Sequence, residues 1–161
     1  MLAEVVSSPV LEATEPRQIH RVLLAFDGSP GAWAALEQAI AVAVSQNALL
    51  TIAGVVGEPS VLIGFGPAVM PYTRETLIRD LERDMQQKLA AARDEVPASV
   101  SVTTRLLRGR PARALAALAD AGDYDLVVAG PRKVGFLRRA LGGSVTHSLL
   151  THCRASVLAV R

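Results

Sequence analysis

Five short apolar runs alternate along the chain with longer segments whose apolar residues recur every three or four positions. The first run, Val22-Leu23-Leu24-Ala25-Phe26, has no polar alternation and stops at Asp27-Gly28-Ser29-Pro30. An uninterrupted run of this kind predicts a strand buried on both faces, as in a parallel sheet. Ser29 followed by Pro30 suits the N-cap and first position of a helix. That helix is predicted over residues 30–46, with Trp33, Leu36, Ile40 and Val44 as its apolar stripe. Residues 48–56 form the second predicted strand. Residues 57–71, broken by Gly57, Pro59, Gly64, Gly66, Pro67 and Pro71, read as a long loop.

A long helix is predicted over residues 73–95, with Leu77, Leu81, Met85 and Leu89 on its apolar face, ended by Pro97. Residues 100–107 alternate in part and predict a third strand, suited to an edge. Gly109-Arg110-Pro111 turns into an alanine- and leucine-rich helix to Ala121, which Gly122 closes. A fourth strand over 124–129, a helix over 144–152 and a fifth strand over 155–160 complete a β-α-β-α-β-α-β-α-β order. Such alternation predicts one α/β domain with a doubly wound parallel sheet and right-handed crossovers that put helices on both faces. Residues 1–18, mixed in Ser, Pro and Glu, read as a flexible arm ahead of a domain over 19–161.

Composition narrows the function only a little. At 161 residues the chain is long enough for one full core, and its 50% hydrophobic content is mostly Ala, Val and Leu. The formal charge of +2 is a small excess for a nucleic-acid binder. Cys153 is the single cysteine, which excludes an internal disulfide and fits a reducing compartment. Residues 1–19 lack the basic and apolar regions of a secretory signal, and the apolar stretch at 32–44 is too short to span a bilayer. The expectation is a cytoplasmic protein without membrane or nucleic-acid partners.

In a doubly wound sheet, ligands sit beyond the carboxyl ends of the strands, where strand order reverses. That rule selects Asp27-Gly28-Ser29, residues 54–57, Gly109-Arg110-Pro111, and residues 130–144. In the last of these, Leu126-Val127-Val128-Ala129-Gly130 leads through Pro131-Arg132-Lys133 to Gly143-Ser144-Val145-Thr146. Small residues there let backbone N–H groups approach an anion at a helix N-terminus, phosphate above all, although an ordinary β–α connection looks the same. Asp27 suits a ribose hydroxyl or a metal, or it simply caps the turn before Ser29. Arg105, Arg108, Arg110 and Arg113, with Arg132, Lys133, Arg138 and Arg139, either form a positive field for a polyanion or are solvated surface. His147 and His152, five apart, do not share a helix face, and no Ser-His-Asp order with a nucleophile elbow is present.

Val22-Leu23-Leu24-Ala25-Phe26-Asp27-Gly28-Ser29, Gly109-Arg110-Pro111-Ala112, the Asp125 to Gly130 run, Gly143-Ser144-Val145-Thr146 and the closing Cys153 to Val160 run together resemble the universal stress protein family over about residues 19–161. The resemblance implies five parallel strands in the order 3-2-1-4-5, the adenine nucleotide alpha hydrolase-like fold. It also implies a cytoplasmic, usually dimeric protein of stress tolerance or signalling that binds ATP, with Mg, without fast catalysis; slow ATP hydrolysis is the most it allows. In the family pattern Asp27 lies near the ribose, within the Asp27-Gly28-Ser29 turn, and the backbone around Val55 faces adenine. Gly130, Arg132, Gly143, Ser144 and Val145 line the phosphates. ATP-binding members carry Gly-x-x-Gly, nine residues, then Gly-Ser or Gly-Thr. Here Gly130 and Gly143-Ser144 match, but Lys133 stands where the second glycine belongs. Lysine there either adds charge beside a phosphate or blocks the site. The alternative is therefore a dimeric interaction protein that binds no nucleotide. The apolar fifth strand, residues 156–160, is the expected dimer edge.

Overall fold

The computed structural model describes residues 18–57, 74–130 and 145–160. Among these residues nine elements follow in chain order: β1 (Arg21–Ala25), α1 (Pro30–Gln46), β2 (Leu49–Val56), α2 (Arg74–Asp94), β3 (Val102–Arg108), α3 (Pro111–Ala121), β4 (Leu126–Ala129), α4 (Val145–His152) and β5 (Ser156–Ala159). All four strand pairings are parallel, and the sheet order is β3-β2-β1-β4-β5. The order expected from the sequence is the one observed. The predicted loop at 57–71, apart from Gly57, and the arm before Gln18 lie outside the described residues.

Successive side chains of a strand face opposite sides of the sheet, and here that alternation builds two cores. On one side Val22 and Leu24, Leu50 and Ile52, and Leu126 and Val128 pack against Leu36 and the alanines of α1 and against Met85, Leu89 and Ala92 of α2. On the other, Leu23, Ala53, Val127 and Ala129 meet Leu115 and Ala119 of α3 and Leu149 of α4. The helices therefore cover both faces. Among the described residues Thr51 is the buried polar one; it accepts a 3.0 Å bond from the Tyr124 hydroxyl and lies 3.1 Å from the Thr103 hydroxyl on β3.

Two apolar stripes differ from expectation. In α1 the buried residues are Ala32, Ala35, Leu36, Ala39 and Ala43, whereas Val44 is 54% exposed. Alanines take the closest seat against the sheet, so the buried stripe is rotated from the one marked by the large side chains. In α2 Met85, Leu89 and Ala92 are buried, but Leu77 and Leu81 are exposed. The reason is length. A parallel crossover helix runs back against the strands, and Met85 already lies over Gly54 near the carboxyl end of β2. Glu82 meets Arg108, the last residue of β3. Residues 74–81, about 12 Å of helix, thus stand beyond the strand ends, with no sheet beneath them.

Gly122 closes α3 as expected, its N–H bonding Leu118 O. Gly122 sits at the C-cap with φ −98°, and Asp123 next to it takes the left-handed conformation at φ 48°.

Candidate functional site

The carboxyl edge of the sheet is assembled by the turn after β1. Gly28 has φ +77°, a conformation that glycine adopts without steric cost and that swings the chain from strand to helix. Asp27 Oδ1 accepts the Ser29 N–H at 3.0 Å, and Ser29 Oγ accepts the Ala32 N–H at 3.2 Å. These two bonds fix the turn and cap α1. Phe26 is buried and meets Trp33 edge-on, with ring centroids 5.1 Å apart, so the first turn of α1 is pinned from below as well.

The end of β4 is brought against this same turn. Ala25 and Ala129 are register partners, and Gly130 follows directly. A Cβ placed on Gly130 would overlap the carbonyl of Gly31 in the first turn of α1 and come within 3.0 Å of the Ala32 nitrogen. Backbone thus meets backbone, and the exit of β4 lies beside the Asp27–Ser29 turn. Since α1 belongs to one core and α4 to the other, β1 and β4 diverge to opposite faces at this point. It is the topological switch point of the sheet.

Val55 completes the rim. Leu49 N–H bonds His20 O at 2.8 Å, and Phe26 N–H bonds Ala53 O at 2.9 Å, so odd-numbered residues of β2 turn their backbone groups toward β1. By that alternation Val55 aims its N–H and C=O to the same side, beyond Ala25 where β1 ends. From the flank of α2, the aliphatic stem of Lys88 lies on Gly28. A Cβ there would be 2.8 Å from Lys88 Cδ, and the ammonium pairs with Asp84 at 2.6 Å. The fold therefore gathers Asp27, Gly28, Ser29, Val55 and Gly130 at one edge. Val145 opens α4, half-buried against the second core. Arg132, Lys133, Gly143 and Ser144 lie outside the described residues, as do Arg138 and Arg139.

Of the readings left open for Asp27, the turn-capping one is realised by its bond to Ser29. Arg105, Arg108, Arg110 and Arg113 are all exposed along β3 and the start of α3. Among the described residues no group of three or more His, Cys, Asp or Glu side chains is placed to hold a metal ion. No described helix is long and apolar enough to cross a membrane. At the opposite, amino edge of the sheet, carboxylates are used as structural acceptors: Asp125 Oδ2 takes the N–H groups of His20 and Arg21, and Asp120 takes that of Arg154.

Two features of the site escape a reading of the sequence. Gly31 seats Gly130, and its signal is a glycine, a poor helix former, inside the first turn of a helix. Lys88 has no such signal, because its contact depends on how far α2 slides along the sheet.

A parallel α/β sheet in the order 3-2-1-4-5, with a switch point between β1 and β4, belongs to the broad class of doubly wound, Rossmann-like folds. Within it, the universal stress protein family model matches residues 18–161, and the chain belongs to that family. It is 32% identical over 141 residues to the universal stress protein in the QAH/OAS sulfhydrylase 3′ region of Thermus aquaticus, covering 87% of this chain and 97% of that one. A universal stress protein solved in complex with cAMP superposes with a TM-score of 0.66 at 24% identity, covering 89% and 98% of the two chains. An Arabidopsis thaliana family member solved with AMP bound gives a TM-score of 0.58 at 15% identity, covering 88% and 90%. These two solved structures share the fold.

Proposed function

We propose that this chain binds an adenine nucleotide at the carboxyl edge of its sheet and works in stress response or signalling rather than in rapid turnover. The observation that carries the reading is the seating of Gly130 against Gly31. It sets the exit of β4 beside the Asp27–Ser29 turn at the switch point. The cAMP- and AMP-bound relatives support the ligand class. In this reading Val55 presents backbone groups to the adenine, Asp27, Gly28 and Ser29 flank the ribose, and Gly130, Arg132, Lys133, Gly143, Ser144 and Val145 surround the phosphates. ATP, with Mg, is the proposed physiological form, and the cytoplasm the proposed compartment.

The test is to denature the purified chain and analyse the supernatant for nucleotide, then to titrate ATP–Mg, AMP and cAMP by calorimetry. Released nucleotide, or saturable heat at micromolar concentration, is expected. Neither release nor heat at high micromolar ligand overturns the reading. Lys133→Gly restores the motif and is expected to tighten ATP binding severalfold.

A second reading, a dimeric interaction protein without a nucleotide, draws on two observations. Lys133 departs from the glycine motif, and the Asp27 carboxylate already serves its own turn. Under both readings we propose a homodimer through β5. That strand is an edge without charge from Ser156 to Ala159, and Leu158 on it is 36% exposed.

A further inference from the structure

The two edges of the sheet differ in chemistry. β5 is uncharged, whereas β3 carries Arg105 and Arg108 and leads into Arg110 and Arg113 at the start of α3. All four arginines are exposed. Among the described residues Arg108 pairs with Glu82 at 2.5 Å, and no ion pair involves Arg105, Arg110 or Arg113.

The direction of the β3 backbone follows from its bonds to β2. Leu50 N–H bonds Ser101 O at 3.0 Å, and Gly109 N–H bonds Val56 O at 3.0 Å. A strand residue sends its N–H and C=O to one side and its neighbour sends them to the other. Odd-numbered residues from Ser101 to Gly109 therefore face β2. Val102, Thr104, Leu106 and Arg108 aim their N–H and C=O groups away from it, where the sheet order places no strand among the described residues. The flanking side chains of Thr103, Thr104 and Arg105 are exposed as well.

We propose that the β3 edge receives an extended acidic peptide segment of a partner protein by strand addition. The outward backbone groups supply the ladder, and the arginines select carboxylates by charge-assisted hydrogen bonds. A second copy of this chain is disfavoured as the occupant. Pairing β3 with itself would set Arg105 and Arg108 against like charges, the device by which sheet edges resist self-association. The phosphate backbone of a nucleic acid fits poorly too, because phosphates only accept hydrogen bonds and offer no donor to the outward carbonyls.

The probe is a fluorescein-labelled ten-residue peptide alternating Glu with Val and Thr, titrated against the full chain by anisotropy and by ¹⁵N–¹H shift mapping. Saturable binding is expected, with shifts at Val102, Thr104, Leu106 and Arg108. A Lys-for-Glu version of the peptide should bind at least tenfold more weakly, as should the Arg105→Glu chain with the original peptide. Thr104→Pro removes one outward N–H and spares the bonds to β2. It is expected to abolish binding while leaving the circular dichroism spectrum unchanged.

Absence of binding overturns the proposal. So does a folded Thr104→Pro chain that binds like the parent, which would leave charge alone as the cause. An oligonucleotide that competes with the same shift pattern would show a general polyanion surface instead. Binding only after removal of residues 1–17, which carry Glu4, Glu12 and Glu15, would make the chain's own arm the occupant in place of a partner.

Discussion

Gly130 presses on Gly31 backbone to backbone, so neither partner can swing aside as a side chain would. Gly54 is the useful contrast: a Cβ there would meet the Met85 sulfur at 2.5 Å, but a thioether can rotate away. Overpacking costs typically about 1–3 kcal/mol. Gly130→Ala is therefore expected at the upper end, about 3 kcal/mol, and Gly54→Ala near 1 kcal/mol, both read by urea denaturation; equal losses would contradict the contact. From the sequence, Gly130 was legible as a place where backbone could approach a ligand. Its contact with α1 was not, since it requires knowing that β4 lies next to β1. Lys88 over Gly28 is a contact of the same kind, set by the tertiary position of α2 and unmarked by any local pattern.

At the scale of elements, the order and type of the nine described were legible because β1, β2, β4 and β5 are apolar runs, the first three stopped by Gly or Asp, and the partly alternating β3 is bracketed by Pro97 and Gly109. Which face each helix buries was less so. Apolar periodicity reports that a helix is amphipathic, but large side chains dominate that signal, and in α1 the alanines occupy the seat against the sheet. Nor does periodicity report where the sheet stops. Leu77 and Leu81 continue the stripe of Met85 and Leu89 beyond the strand ends and remain 42% and 38% exposed. The consequence is measurable. Leu89→Ala is expected to cost about 2–5 kcal/mol as a buried truncation, and Leu81→Ala under about 1 kcal/mol. A large loss at Leu81 would mean that it is covered in solution.

For the whole molecule, the sheet offers two edges and one switch point, and each is assigned its own partner. The uncharged β5 edge is proposed to pair with a second copy, the arginine-bearing β3 edge with an acidic segment, and the switch point between β1 and β4 with a nucleotide. Leu158→Glu places a charge on β5 and is expected to convert the dimer to monomer by light scattering at micromolar concentration. A parent chain already monomeric there would contradict the β5 assignment. The candidate site was legible in outline, through Asp27-Gly28-Ser29, Val55 and Gly130. The structure adds why these lie together: parallel pairing in register aligns Ala25 with both Ala53 and Ala129, so all three strands end at one edge.

Nucleotide binding at that edge is read out by site-resolved titration of the ¹⁵N-labelled chain with ATP–Mg and AMP. Saturable shifts of the Gly28, Ser29, Val55 and Gly130 amides, with the amino-edge amides of Asp120 and Arg154 unmoved, are the result predicted. No shift at millimolar nucleotide, or shifts confined to residues away from the β1–β4 switch point, would contradict it.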